Sequence, residues 1–106
     1  DYIAYPIKNV LDRTETNFIF IFGSFANNKS NSESDIDLMV VGNVKLSEIF
    51  KLLKLAEKVT GRDINPVVWT TENLKKEKEK GFVKDILKKN IIMIKGDENE
   101  LRRIVK

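Results

Sequence analysis

Short apolar runs alternate along this chain with stretches in which apolar residues recur at helical spacing. Three runs are rich in β-branched and aromatic residues, as buried strands are: 17–22, 38–41 and 63–70. A fourth, shorter run covers 91–94. Helical spacing or helix-capping residues predict helices at about 5–14, from Ser47 to Gly61, from Thr71 onward, and at about 97–105. This order predicts an α/β fold, in which a small mixed sheet of about four strands is packed by helices.

The helix between the second and third runs has the clearest end signals. Ser47 is predicted to cap its start, and Gly61 to end it. Its apolar stripe is interpreted as packing against the sheet, and consists of Ile49, Phe50, Leu53, Ala56 and Val59. The later run 75–80 mixes lysine with glutamate, which is typical of a solvated helix face.

Two aspartates stand directly before the second apolar run, Asp35 and Asp37, and are predicted to open that strand. Side chains two residues apart on a strand share a face, so the two carboxylates would lie side by side. They would repel each other unless a cation lay between them. Oxygen ligands without nearby nitrogen or sulfur suit Mg²⁺, with the phosphates of a substrate filling its remaining positions.

A turn follows the first run at Gly23 and Ser24. The glycine allows the backbone to turn tightly, and Ser24 stands where a short helix could begin. Backbone N–H groups and a hydroxyl at such a position are suited to a triphosphate. Lys29, together with Asn27 and Asn28, is a further candidate for phosphate contact, although a solvated loop is the simpler interpretation.

The combined pattern, Gly23-Ser24, ten residues, then Asp35-Ile36-Asp37, resembles the signature of the minimal nucleotidyltransferases of the DNA polymerase β superfamily. The similarity covers about residues 10 to 70. It implies that Asp35 and Asp37 bind Mg²⁺ while Gly23 and Ser24 hold the terminal phosphates of a nucleoside triphosphate, with ATP expected. An acceptor hydroxyl would attack the α-phosphorus, and pyrophosphate would leave.

The resemblance also implies a class of partner. Minimal members of this family are often the antitoxins of helical ribonuclease-like toxins, and some add AMP to a tyrosine of the partner. A protein hydroxyl is therefore the expected acceptor, and a helical toxin the expected partner.

The third apolar run departs from the family pattern. Catalytic members usually carry a third carboxylate there, which helps to hold the metal and receives the proton of the attacking hydroxyl. The position flanked by apolar residues in this chain is Asn65, and Asp63 lies two residues earlier on the same face as a possible substitute. This difference puts the full catalytic rate in doubt. Pro66 predicts an edge position or a distortion for this strand.

Composition limits the number of domains, the classes of functional site and the cellular location that are expected. The 106 residues suit one domain, 1–106, although a first residue other than Met suggests a fragment. The sequence has no Cys and no His, which excludes disulfides, Ser-His triads and the usual zinc sites. A net charge of +3 permits nucleic-acid contact without arguing for it. No apolar run approaches the ~20 residues of a membrane span, so a cytoplasmic location is expected.

Two other functions remain open. Asn65 favours a binding module without catalysis, in which the cleft serves as a nucleotide sensor or docking surface. The basic late helices and the first residue suggest a regulatory domain of a larger DNA-binding protein.

Overall fold

The computed structural model describes residues 2–29, 34–77 and 81–106. A four-stranded sheet runs through its middle, in the order β3-β2-β1-β4. Strand β1 pairs antiparallel with β2 and with β4, whereas β3 runs parallel to β2. The predicted α/β class with a small mixed sheet is confirmed. The strands are β1 Thr16–Phe22, β2 Ile36–Gly42, β3 Ile64–Trp69 and β4 Ile92–Lys95.

The helices form one layer on each face of the sheet. Two pack on the face that carries Ile19, Ile21 and Leu38, and three pack on the face that carries Phe18 and Phe20. None of the helices described in 2–29, 34–77 and 81–106 has the length and apolar character needed to cross a membrane. In chain order the first two are α1 Ala4–Leu11 and α2 Leu46–Thr60, and the other three are α3 Thr71–Glu77, α4 Phe82–Leu87 and α5 Glu98–Ile104.

Helix α2 begins earlier than predicted. Lys45 is its N-cap residue, with an extended backbone and a carbonyl that accepts a hydrogen bond from the Ile49 N–H at 3.1 Å. Ser47 therefore lies in the first turn, and its prediction as the cap is wrong. The predicted end at Gly61 is confirmed, because this residue has φ of 71° and its N–H donates to the Glu57 carbonyl.

Only part of the predicted apolar stripe of α2 is core. Ile49, Leu53 and Ala56 are buried against the sheet. Phe50 and Val59 are 47% and 67% exposed, so their interpretation as core residues is wrong. The reason is geometric. Each residue turns the helix by roughly 100°, so Phe50 and Val59 lie on opposite flanks of the buried stripe and not within it.

Strand β3 lies at an edge of the sheet, as Pro66 predicts. Its partner in the parallel register is β2, where Pro66 lies opposite Leu38. A proline is tolerated there because an edge strand uses only one of its two sides for hydrogen bonds. Of the predicted charged run 75–80, residues 75–77 end helix α3, and 78–80 lie outside the described residues.

Candidate active site

The paired aspartates lie where β2 begins. Ile36 and Leu38 point into the core beneath α1 and α2, so Asp37 between them points to the opposite face of the sheet. Asp35 precedes the strand and lies close enough for its charge to act on Asp37. The two carboxylates therefore share one face at one end of the sheet, as the sequence predicts.

Asp37 is in an unfavourable electrostatic position. Its side chain is half-buried, and this burial raises the pKa of its carboxyl above the ordinary value of 3.8. The negative charge of Asp35 raises the pKa further. Both effects disfavour the charged form of Asp37, and a bound cation would offset them by attracting the carboxylate.

The glycine of the turn lies against this carboxylate. Gly23 has φ of +77°, in the left-handed region that favours glycine. A Cβ atom at this position would collide with Oδ2 of Asp37. Gly23 is thus required both by the turn and by the approach of Asp37, which brings the two halves of the sequence signature into contact.

Residues 24–28 form consecutive turns and not the short helix that the sequence suggests. The N–H of Asn27 bonds the carbonyl of Gly23 at 3.2 Å, and the N–H of Lys29 bonds the carbonyl of Ser24 at 2.9 Å. These turns end at Asn28, which adopts a left-handed conformation with φ of 57° that a right-handed helix does not accommodate. Ser24 and Lys29 are both exposed.

Asn27 has a role that the sequence alone did not indicate. Its side-chain amide donates to the Gly23 carbonyl at 2.9 Å and to the Asn90 carbonyl at 3.2 Å. Its Oδ1 accepts from the Asn90 N–H at 3.0 Å. The side chain thus fastens the turn to the connection between α4 and β4. No local signal could reveal this contact, since the two residues are 63 positions apart.

The third-strand position is occupied by an amide. Asn65 lies opposite Asp37 in the parallel register, and its Nδ2 donates a hydrogen bond of 3.0 Å to Oδ2 of Asp35. Asp63 lies before β3 and is exposed, and its backbone carbonyl accepts from the Ile36 N–H. Within 2–29, 34–77 and 81–106, no three acidic side chains gather into a metal-binding group. The structure therefore brings Asn65 to the pair and leaves Asp63 apart.

The paired carboxylates of Asp35 and Asp37 form a set of metal ligands that fits Mg²⁺. Two adjacent carboxylates provide hard oxygen ligands, and their mutual repulsion is relieved by a divalent cation. Mg²⁺ in proteins commonly takes only one or two carboxylates and completes its coordination with water and substrate phosphates. Asp35 and Asp37 are thus the residues that would hold it.

A small cleft adjoins the turn on the side of α4. It has a volume of about 190 Å³ and mostly apolar walls with two charged residues at the rim, lined by Phe22, Gly23, Asn27, Phe82, Asp85, Ile86 and Lys89. Trp69 packs edge-to-face on Phe82, with 5.6 Å between the ring centroids. A larger groove of about 610 Å³ lies between α4 and α5 and contains none of the signature residues.

Comparison with known protein families shows which family the chain belongs to. The model of the polymerase beta nucleotidyltransferase family matches residues 6–99. The chain belongs to this nucleotidyltransferase family. A comparison with curated proteins found no match.

Solved structures of toxin–antitoxin complexes contain chains of the same fold. A chain of a complex crystallised with AMP-PNP is 15% identical, with a TM-score of 0.66 over 96% of this chain and 80% of that one. A chain of the Shewanella oneidensis complex of a tri-AMPylated HEPN toxin with its MNT antitoxin is 14% identical, with a TM-score of 0.58 over 96% and 76%. A chain of the MntA–HepT complex is 14% identical, with a TM-score of 0.57 over 96% and 77%. At these identities the similarity shows the nucleotidyltransferase fold.

Proposed function

We propose that this domain, residues 1–106, is a Mg²⁺-dependent nucleotidyltransferase that transfers AMP from ATP to a hydroxyl group of a partner protein. One observation carries the proposal: the Gly23 turn lies directly against Asp37, with Asp35 beside it, in a chain of the nucleotidyltransferase family. A phosphate-sized turn and a pair of metal-binding carboxylates are the two parts that this chemistry needs in one place.

The substrate would lie across the end of the sheet. The turn of Gly23 and Ser24 would bind the terminal phosphates, with Lys29 as an exposed cation at its end. Asp35 and Asp37 would hold Mg²⁺, which neutralises charge on the phosphates when it is bound. The cleft beside Phe22 and Phe82 offers apolar and aromatic surface to a nucleobase or sugar.

The transfer itself is a displacement at the α-phosphorus. The acceptor oxygen forms a new P–O bond, the bond to the bridging oxygen breaks, and pyrophosphate leaves with that electron pair. Because the amide of Asn65 cannot accept the proton of the acceptor hydroxyl, that proton would pass to a solvent water or to a phosphate oxygen of the substrate. We therefore expect slower transfer than in relatives that have a third carboxylate at this position.

The related structures support a protein acceptor. All three relatives described above come from toxin–antitoxin complexes, and one contains a tri-AMPylated HEPN toxin. A helical toxin is accordingly the proposed partner, and a hydroxyl side chain of that partner the proposed acceptor.

A second function is favoured by one contact. The hydrogen bond from Asn65 to Asp35 places an amide where a third carboxylate would complete the metal site. In this alternative the domain binds ATP and Mg²⁺ as a sensor or docking module and leaves the nucleotide intact.

The two proposals are separated by measuring binding and transfer in the same samples. Calorimetry would follow Mg²⁺-dependent ATP binding to the native protein and to Asp35→Asn/Asp37→Asn, and ATP labelled at the α-phosphate would report transfer to any protein. Asp12→Asn is a control for the loss of a carboxylate, because Asp12 is exposed and lies at the C-terminal end of α1.

Binding that the double variant loses, together with label on a protein, supports the transferase. Binding without label supports the module. If the native protein binds no ATP in the presence of Mg²⁺, both proposals are wrong.

A further inference from the structure

Arg62 contacts both halves of the candidate site from outside the signature. Its guanidinium carbon lies 5.2 Å from the centroid of the Phe25 ring, which follows Ser24 in the turn. Its Nη1 donates to the carbonyl of Ser34, the residue before Asp35, at 3.3 Å. Its Nη2 donates to the hydroxyl of Tyr2 at 3.4 Å. One side chain therefore joins the turn that contains Gly23 and Ser24 to the residue directly before Asp35.

The backbone that carries Arg62 is firmly held. Gly61 ends α2 with a hydrogen bond to the Glu57 carbonyl, and the carboxylate of Glu57 accepts the Ile64 N–H at 2.8 Å. The carbonyl of Asp63 accepts the Ile36 N–H at 2.9 Å, between the two aspartates. Arg62 thus extends from a fixed corner between α2 and β3, and its position can fix those of Phe25 and Ser34.

We infer that Arg62 is a positioning residue of the nucleotide site, which holds the Gly23-Ser24 turn and Asp35 in their relative positions before substrate binds. The inference rests on the proposed function and deepens it. The guanidinium of Arg62 contacts the Phe25 ring, the Ser34 carbonyl and the Tyr2 hydroxyl, and its described contacts include neither Asp35 nor Asp37. Its effect on the reaction passes through Phe25 and Ser34.

Arginine suits this role better than lysine. A planar guanidinium can stack on a ring while its separate nitrogens donate hydrogen bonds in fixed directions. A lysine ammonium keeps the charge but loses the planar stacking and the fork of donors. We therefore expect Arg62→Lys to retain only part of the native behaviour, and Arg62→Gln to lose most of it.

The test combines a structural and a functional measurement on the full chain. Hydrogen exchange of the metal-free protein would follow the hydrogen-bonded amides of Asn27, Lys29 and Ile36, and calorimetry would give the dissociation constant of ATP with Mg²⁺. Arg103→Gln is the matched control, since Arg103 is 73% exposed on α5 and pairs with Glu100. All measurements are made well below the melting temperature of each variant.

For Arg62→Gln we expect faster exchange at these three amides and an ATP dissociation constant about tenfold higher, because small displacements of a binding group are costly. Arg62→Lys should lie between it and the native protein, and Arg103→Gln should match the native protein. Native exchange at all three amides in a folded Arg62→Gln protein would overturn the inference, as would unchanged ATP affinity. If exchange rises but the native protein binds no ATP, the positioning of the loops stands and the proposed function is wrong.

Discussion

Replacing Asn65 with aspartate tests the electrostatics of the site most directly. In the metal-free protein, Asn65 donates a hydrogen bond of 3.0 Å to the carboxylate of Asp35. Asn65→Asp removes this donor and places a third negative charge beside Asp35 and Asp37. We expect the variant to be less stable than the native protein without metal, and to gain more stability from Mg²⁺.

The magnitude follows from the distance and the exposure. Two like charges about 4 Å apart repel by ~1 kcal/mol in water, and both Asn65 and Asp35 are exposed, so this value applies better than the larger one for an interior site. The lost hydrogen bond to a charged group adds about 1.5 kcal/mol, the lower end of the usual range, because both groups are exposed. The free energy of unfolding should therefore fall by about 2.5 kcal/mol, a large part of the ~5 to 15 kcal/mol that is typical of a domain.

Urea denaturation at pH 7 would measure this change, first with EDTA and then with millimolar Mg²⁺. Asn65→Ala separates the lost hydrogen bond from the added charge, and Asn9→Asp adds the same charge at an exposed position of α1. The reasoning is refuted if Asn65→Asp is as stable as the native protein in EDTA, or if Mg²⁺ stabilises both equally. Transfer of labelled AMP should also increase in this variant if the missing carboxylate limits the rate.

Three further predictions concern the turn, the pKa of Asp37 and the core. Because the pKa of Asp37 is raised, the unfolded state loses its proton first, and folding stability falls as the pH rises from about 3.8 through the folded pKa. Asp37→Asn should therefore be more stable than the metal-free native protein at pH 7 and lose that advantage near pH 4; equal urea midpoints at pH 7 would contradict this. Gly23→Ala should lower the free energy of unfolding by about 1 to 2 kcal/mol through the left-handed backbone alone. It should also weaken ATP binding, because the new Cβ displaces Asp37. Native affinity for ATP in calorimetry would argue against that contact. Ile49→Ala, at a fully buried position, should lower the free energy of unfolding by about 2 to 5 kcal/mol. Val59→Ala, at a position 67% exposed, should change it by less than about 0.5 kcal/mol. Similar urea midpoints for the two variants would contradict the assigned burial.

Local sequence determined most of the elements. The apolar runs are long enough and β-branched enough to specify strands, and all four appear close to the predicted positions. Gly61 ends α2 because a left-handed residue is needed there, which is a property of that residue and its neighbours. The spacing of Gly23, Asp35 and Asp37 predicted a shared site, since it depends only on two strands joined by one loop.

Tertiary structure decided the contacts that complete the site. Whether Asn65 or Asp63 meets the aspartates depends on the register of β3 against β2, and the two strands are separated by a helix. Arg62 reaches Ser34 across 28 positions, and Asn27 reaches Asn90 across 63. The exposure of Phe50 and Val59 likewise depends on how much of α2 the sheet covers. Periodicity and spacing record what each segment prefers, but the position of one segment against another results from packing both faces of the sheet at once.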